Sequence, residues 1–270
     1  MTFAVPLQEV FRTSYHWLVD GAYGDKEVSV GGQIAVRLPA EFASYDWEHF
    51  QPESVAAVAR WAKHHQRGIV LDVGESSGID SLVALFSDPQ IEVVKLDSDL
   101  LRLARIRRLC KLAPGERLRL VYGFIGASCT KVFSLAEAVS STEAHLRAAA
   151  RWGGLGMLAY DVRFNPCRVV EFQILHFLFE NEFIDRPMLI RLHATIDQIS
   201  LLRGGLSLLR RARTALLVTI ARQGLAPYEH SIVRMQDFLT SIGYNWHCIT
   251  GDHEQQWWCE FRTPVARPEA

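Results

Sequence analysis

The chain has 270 residues, 49% hydrophobic and 22% charged, which is the make-up of a soluble globular protein of one α/β domain with additions rather than two separate domains. Its 29 lysines and arginines face 30 aspartates and glutamates, and the formal net charge of -1 argues against a nucleic-acid binder that works by broad phosphate neutralisation. No stretch reaches the ~18 uninterrupted apolar residues of a membrane span, no secretory leader pattern opens the chain, and the five cysteines (Cys110, Cys129, Cys167, Cys248, Cys259) lack C-x-x-C spacing, so the expectation is a cytoplasmic protein with reduced thiols, no membrane partner and no zinc site.

In chain order, Phe11, Tyr15, Trp17 and Leu18 have helix-compatible spacing and predict a helical lead-in over residues 1–25. Lys26–Val30 and Gln33–Leu38, two alternating runs joined by Gly31-Gly32, read as a β-hairpin. The stretch from Pro52 has proline early, Glu53 in the first turn and good helix formers after it, which marks a helix closed by His64 and His65. Adjacent histidines point to different faces, so a helix C-terminus explains them better than a metal pair.

Residues Gly68 to Leu82 run from a β-branched strand through a glycine-punctuated loop into an apolar helical pattern at Ile79, Leu82, Val83 and Leu85. Gly74 and Gly78 let the backbone turn sharply and admit a ligand, while Ser76 and Ser77 offer hydroxyls and amides at a helix N-terminus. A dinucleotide fold wants G-x-G-x-x-G, and here the middle glycine is absent; no G-K-[S/T] follows, so a phosphate loop fails too. The pattern Asp72-x-Gly74-x-x-x-Gly78 is similar to the first motif of class I S-adenosylmethionine-dependent methyltransferases, which wraps the methionine part of the cofactor. A strand–helix turn without a ligand is the alternative. The next apolar run, Ile91–Asp97, ends in an acid about 20 residues beyond the glycines, where a carboxylate suits a ribose diol. Asp97 or Asp99 can also cap the helix that starts near Leu100, and one residue for each role is consistent with the pattern.

That helix, Leu100–Leu112, carries Arg102, Arg105, Arg107, Arg108 and Lys111 and reads as a solvated face. A third strand, Leu118–Tyr122, ends at Gly123-Phe124. A long insert over 130–187 follows, with helical stretches at 135–152 and 170–182 and a strand at Met157–Val162; its Trp152, Tyr160 and Asp161 are candidates for an acceptor pocket. Met188–His193 is the fourth core strand, Gln198–Arg213 a helix and Ala215–Ile220 the fifth strand. The helix His230–Ile242 then leads to a terminal hairpin, Asn245–Thr250 with Trp257–Arg262. The expected fold is α/β: a Rossmann-like, seven-stranded class I methyltransferase sheet with a C-terminal antiparallel hairpin. Residues 1–50 are the helix and hairpin extension, 51–264 the S-adenosylmethionine-binding domain, and 265–270 a tail.

Phe50-Gln-Pro-Glu53, Val70–Ile79, Leu189–Gly204 and Ala215–Ile220 together resemble the FkbM-type methyltransferases. Members are S-adenosylmethionine-dependent O-methyltransferases acting on sugar or polyketide hydroxyls, so the resemblance implies a small-molecule hydroxyl acceptor. It implies cofactor contacts at Glu53, Asp72, Gly74, Glu75, Ser76, Ser77, Gly78, Asp97, Ser98, Gly123 and Phe124, with Tyr160, Asp161, Thr195 and Thr219 toward the acceptor. The acidic residues usual at the fourth and fifth strands are replaced here, by Arg191, His193, Thr195, Ile196 and Gln198 and then Thr219 and Ala221. His193, at a strand end beside the methyl group, is the candidate general base, since imidazole titrates at ~6.5. A hydrogen-bonded strand-end histidine is the plainer account. Two rivals stand beside the enzyme: a non-catalytic scaffold that has lost the acceptor site, and, less favoured, a dinucleotide oxidoreductase.

Overall fold

In the computed structural model the described residues are 25–39, 42, 47, 50–74, 77–113, 117–123, 139–140, 142–144, 146, 186–193, 198–210, 214–221, 228–250 and 254–261. The helical lead-in, nearly all of the 130–187 insert and the 265–270 tail lie outside them, as do the candidates Glu75, Ser76, Phe124, Trp152, Tyr160, Asp161 and Thr195.

Strands β1 (Lys26–Val30) and β2 (Ile34–Leu38) form the expected hairpin, paired from Lys26 with Leu38 to Val30 with Ile34. Its turn places Gly31 and Gly32 at φ +56° and +64°, where a Cβ is strained, so the Gly-Gly pair is what the turn demands. Ile34, Val36 and Leu38 are buried while Ala35 and Arg37 are exposed, and this alternation lays the hairpin on the core as a separate two-stranded sheet. Helix α1 (Pro52–His64) follows. His64 Nδ1 lies 2.8 Å from the Arg60 carbonyl and His65 Nδ1 2.9 Å from that of Trp61, so the two histidines close the last turn as expected.

The main sheet is built from β3 (Ile69–Gly74), β4 (Glu92–Asp97), β5 (Leu118–Tyr122), β6 (Met188–His193), β7 (Thr214–Ala221), β8 (Tyr244–Thr250) and β9 (Glu254–Phe261). The connecting helices are α2 (Ile79–Ser87), α3 (Leu100–Leu109), α4 (Gln198–Gly204), α5 (Leu206–Leu209) and α6 (Tyr228–Ser241). Strand order is β5-β4-β3-β6-β7-β9-β8, with β3 to β7 parallel and β9 antiparallel to both β7 and β8. This is the expected Rossmann-like, seven-stranded sheet with its C-terminal antiparallel hairpin.

Both faces are covered, which is why the strands read as continuous apolar runs. Val70, Val93, Leu120, Leu189 and Leu217 pack with α1, α2, α3 and the hairpin. Ile69, Leu71, Val94, Ile190 and Leu216 form the opposite face with Leu202, Leu209, Met235 and Leu239.

Several boundaries differ from the sequence reading, three of them with a plain local cause. The helix after β6 is broken at Gly204-Gly205, two poor helix formers in succession, into α4 and the short α5. Helix α3 stops at Leu109, where the Cys110 N–H closes back on Ile106 O at 2.9 Å. Strand β9 starts at Glu254, ahead of Trp257, because its pairing with β7 continues to Ala221. Among the described residues no helix is long and apolar enough to cross a membrane.

Candidate functional site at the strand carboxyl ends

From β3 the chain builds outward to β4 and β5 on one side and later to β6 and β7 on the other, so the strand order reverses between β3 and β6. In open α/β sheets ligands occupy the crevice beyond the carboxyl ends at such a reversal. Here Gly74 pairs with His193, and Asp72 with Arg191, across that line.

On the sheet face beneath α1, α2 and α3, side chains change character along the strands. The row Val93, Val70, Leu189 and Ala215 is apolar. Two residues on, the same face carries Lys95, Asp72, Arg191 and Leu217, and two further on Asp97, Gly74, His193 and Thr219, with Gln256 opposite Thr219 on β9. One half of this face is core and the other is a polar field.

Ion pairs organise the field. The Lys95 ammonium, fully buried, lies 3.2 Å from Asp72 Oδ1 and 3.8 Å from Asp97 Oδ2 and donates to the Gly74 carbonyl at 2.5 Å. Ser81 of α2 donates to the other Asp72 oxygen at 2.6 Å, so Asp72 ties strand, loop helix and neighbouring strand together. Arg191 Nε donates to Asp80 Oδ2 at 2.7 Å, and Ser54 Oγ reaches the second Asp80 oxygen at 3.4 Å. Arg102 completes the set by donating to both oxygens of Asp97. Three carboxylates thus meet three cations, which offsets the cost of burying each charge. Burial lowers the Lys95 pKa against the pull of Asp72 and Asp97. Burial likewise raises the Asp97 pKa to about 6, opposed by Lys95 and Arg102.

Cap and strand-end duties are divided as the sequence allows. Asp99 caps α3, accepting from the N–H groups of Leu101 at 2.8 Å and Arg102 at 3.2 Å. Asp97 stays at the end of β4, accepting the Asp99 N–H at 2.9 Å. Gly74 and Gly78 both have positive φ, +90° and +85°. A Cβ on Gly78 would stand 2.7 Å from Ile106 Cγ1, so this glycine is required by the approach of α3. Ser77 is exposed before α2, Ser98 is half-buried, and the Gly123 N–H donates to the Asp97 carbonyl at 2.9 Å. Glu53 is exposed in the first turn of α1.

His193 is partly buried with its Nδ1 unpartnered. Burial, and next the positive charge of Arg191, push its pKa down to about 4. The ring is therefore neutral at pH 7 and less basic than an exposed imidazole. Thr219, 1% exposed, has its hydroxyl unpaired while its carbonyl accepts from Gln198 Nε2 at 2.8 Å. Among the described residues no cluster of His, Cys, Asp or Glu is arranged to hold a metal ion.

Sequence reasoning passed over Lys95, Asp80, Gln256 and the inward role of Arg102. The signal for Lys95 was present: a lysine inside the apolar run Ile91–Leu96, two residues before Asp97, has to lie on the same buried face as that acid. Arg102 follows from the turn at Ser98-Asp99, which folds the first turn of α3 back over the end of β4.

No family model matches the chain, and no curated protein matches it. Among solved structures, the chain is similar to precorrin-6y C5,15-methyltransferase from Geobacter metallireducens, with 12% identity and a TM-score of 0.46 over 83% of this chain and 95% of that one. It is also similar to human methyltransferase-like protein 13 in complex with SAH, with 11% identity and a TM-score of 0.41 over 80% and 82% of the two chains. A third is a SAM-dependent methyltransferase from Aquifex aeolicus, with 10% identity and a TM-score of 0.42 over 76% and 88%.

Proposed function

We propose that the chain is an S-adenosylmethionine-dependent methyltransferase acting on a hydroxyl of a small molecule. The observation that carries this reading is that Asp72 and Gly74 end β3, Gly78 opens α2 and Asp97 ends the neighbouring β4, beside the sheet's reversal point. The residues there fit an adenosyl ligand: Gly74 turns the backbone at positive φ, Ser77 is exposed before α2, and Asp97 ends the adjacent strand. Loop residues Glu75, Ser76 and Phe124 belong to the same proposed set, with Glu53, Ser98 and Gly123 around it. When bound, S-adenosylmethionine supplies an activated methyl group.

The chain's own part is to hold the acceptor and receive its proton. His193 is next to Gly74 in the sheet, and its Nδ1 is free to accept. The burial that keeps the ring neutral also weakens it as a base, so the proton it takes has to pass on to water. Tyr160, Asp161, Thr195 and Thr219 are proposed to position the acceptor. The FkbM-type resemblance supports oxygen as the methylated atom and a sugar or natural product as its carrier.

The low basicity of His193 favours a second reading, a non-catalytic scaffold of the same fold. Titration calorimetry with S-adenosylmethionine, S-adenosylhomocysteine and NAD decides the ligand: heat with the first two and none with NAD is expected. Transfer of labelled methyl to hydroxyl compounds then separates enzyme from scaffold. Binding of NAD alone would overturn both.

A further inference from the structure

All four buried side-chain polar atoms that lack a partner among the described residues belong to one patch: Arg191 Nη1, His193 Nδ1, Thr219 Oγ1 and Gln256 Oε1. Thr219 pairs with Gln256 across β7 and β9. One step beyond the Leu192–Val218 pair, Thr219 lies beside His193, and Arg191 is two residues back on the same face. Native proteins seldom leave buried polar atoms unpaired, so four in one patch mark a place that another molecule completes.

The atoms themselves specify that molecule. Arg191 can only donate. Gln256 presents its carbonyl oxygen, because its Nε2 already donates to Gln51 Oε1 at 2.8 Å. Gln51 in turn is held in a left-handed conformation at φ +35°, uncommon for a residue with a side chain. Thr219 can do either. Charge is already compensated, since Asp80 holds Arg191 at 2.7 Å and buried Lys95 lies between Asp72 and Asp97.

We propose that Arg191, His193, Thr219 and Gln256 form one ligand subsite for an uncharged group that presents a hydrogen-bond acceptor to Arg191 and a donor to Gln256, and that Asp80, by holding Arg191, turns carboxylate and phosphate ligands away. The patch adjoins Gly74 through His193, so the group belongs to the methyl acceptor, and to that extent the inference rests on the transferase reading.

Glycolamide and glycolate form a probe pair of nearly equal size, the first uncharged with donors and acceptors, the second anionic. With S-adenosylhomocysteine present, saturation-transfer NMR should show glycolamide and not glycolate contacting the parent. Thr219→Val and Gln256→Met should each weaken the glycolamide contact roughly fivefold, the effect of one lost hydrogen bond. Asp80→Asn should admit glycolate. If that variant does not fold, Thr219→Val still decides the subsite, because it breaks no side-chain bond seen in the structure. Glycolate contacting the parent as strongly as glycolamide, no contact by glycolamide, or a contact unchanged in both subsite variants would each overturn the inference. Calorimetry with S-adenosylhomocysteine on the same samples keeps the readings apart: silence there with the glycolamide contact intact sinks the transferase reading alone.

Discussion

The Arg102 guanidinium reaches both carboxylate oxygens of Asp97, at 3.3 and 3.2 Å, the same oxygens proposed above to accept from a ribose diol. Asp97 is wholly buried, while Arg102 keeps 27% of its side chain exposed. An adenosyl ligand bound there as proposed would compete with Arg102, the more exposed of the two cations at this carboxylate.

Arg102→Ala should strengthen S-adenosylhomocysteine binding, because the competing contact is gone. Arg102 keeps 27% of its side chain in solvent and Asp97 retains Lys95, so the lost contact is worth about 1 kcal/mol and the gain should be about fivefold by calorimetry. Asp97→Ala should do the opposite and lower affinity about tenfold or more. Weaker binding by Arg102→Ala would show that the arginine supports the ligand instead of competing with it.

The Asp80–Arg191 pair, 2.7 Å apart and 4% exposed on each side, joins α2 to β6. Removing one partner strands a buried charge and should cost about 3–5 kcal/mol in urea unfolding of Asp80→Ala. Replacing both at once, Asp80→Leu with Arg191→Met, should recover most of that loss. Equal losses in the single and double variants would show that the pair's packing, and not its charge, is what α2 requires.

Gly78 is held to glycine by φ +85° and by Ile106 Cγ1, 2.7 Å from where a Cβ would stand. Gly78→Ala should cost about 1–3 kcal/mol through crowding, with backbone strain added. Ile106→Ala removes Cγ1, so Gly78→Ala should cost less in that background than in the parent. An equal cost in both backgrounds would place the whole loss in the backbone.

Much of the fold was legible because its cues are local: the Gly-Gly turn, the proline at the start of α1, the apolar strands and the glycine loop. The hairpin and the succession of strands and helices follow from these cues, whereas the order of strands in the sheet depends on long-range pairing that local cues do not carry. The site was legible at its edges, in Asp72, Gly74, Asp97, His193 and Thr219. Its interior was hidden because pairing depends on register. Only the Asp72–Arg191 and Thr219–Gln256 alignments reveal that Lys95, Asp80 and Gln256 face the same field. The same holds for the basicity of His193, which is set by burial and by Arg191 beside it, neither visible in an imidazole at a strand end.

Two buried groups give the site an opposed pH response. His193 titrates near 4 in the fold against an ordinary 6.5, so the unfolded chain binds the extra proton between those values and stability from this group rises with pH up to about 6.5. Asp97 titrates near 6 against an ordinary 3.8, so the folded chain binds the extra proton and stability falls as pH rises through that window. The contributions oppose each other between pH 4 and 6. Urea midpoints of Asp97→Asn should therefore climb more steeply with pH there than those of the parent, and His193→Phe should reverse the trend. Parallel curves for all three proteins would show that neither group titrates in this range.

The separation of binding from chemistry falls on His193. Its Nδ1 has no partner in the fold and its ring adjoins Gly74, so His193→Ala should leave S-adenosylhomocysteine affinity nearly unchanged. Turnover with a hydroxyl acceptor should drop roughly 10²–10⁴-fold, the scale for losing a positioned acid–base group. The pH–rate profile carries the finer distinction. A base with a pKa near 4 is already unprotonated across the neutral range, so the parent's acidic limb should lie well below pH 6. Ligand binding that further buries the ring moves that limb lower still, since burial disfavours the charged form. An acidic limb near 6.5 would mean that the bound acceptor restores ordinary basicity, whereas a His193→Ala variant with the parent's turnover would remove the residue from the chemistry and leave the fold and cofactor assignments standing.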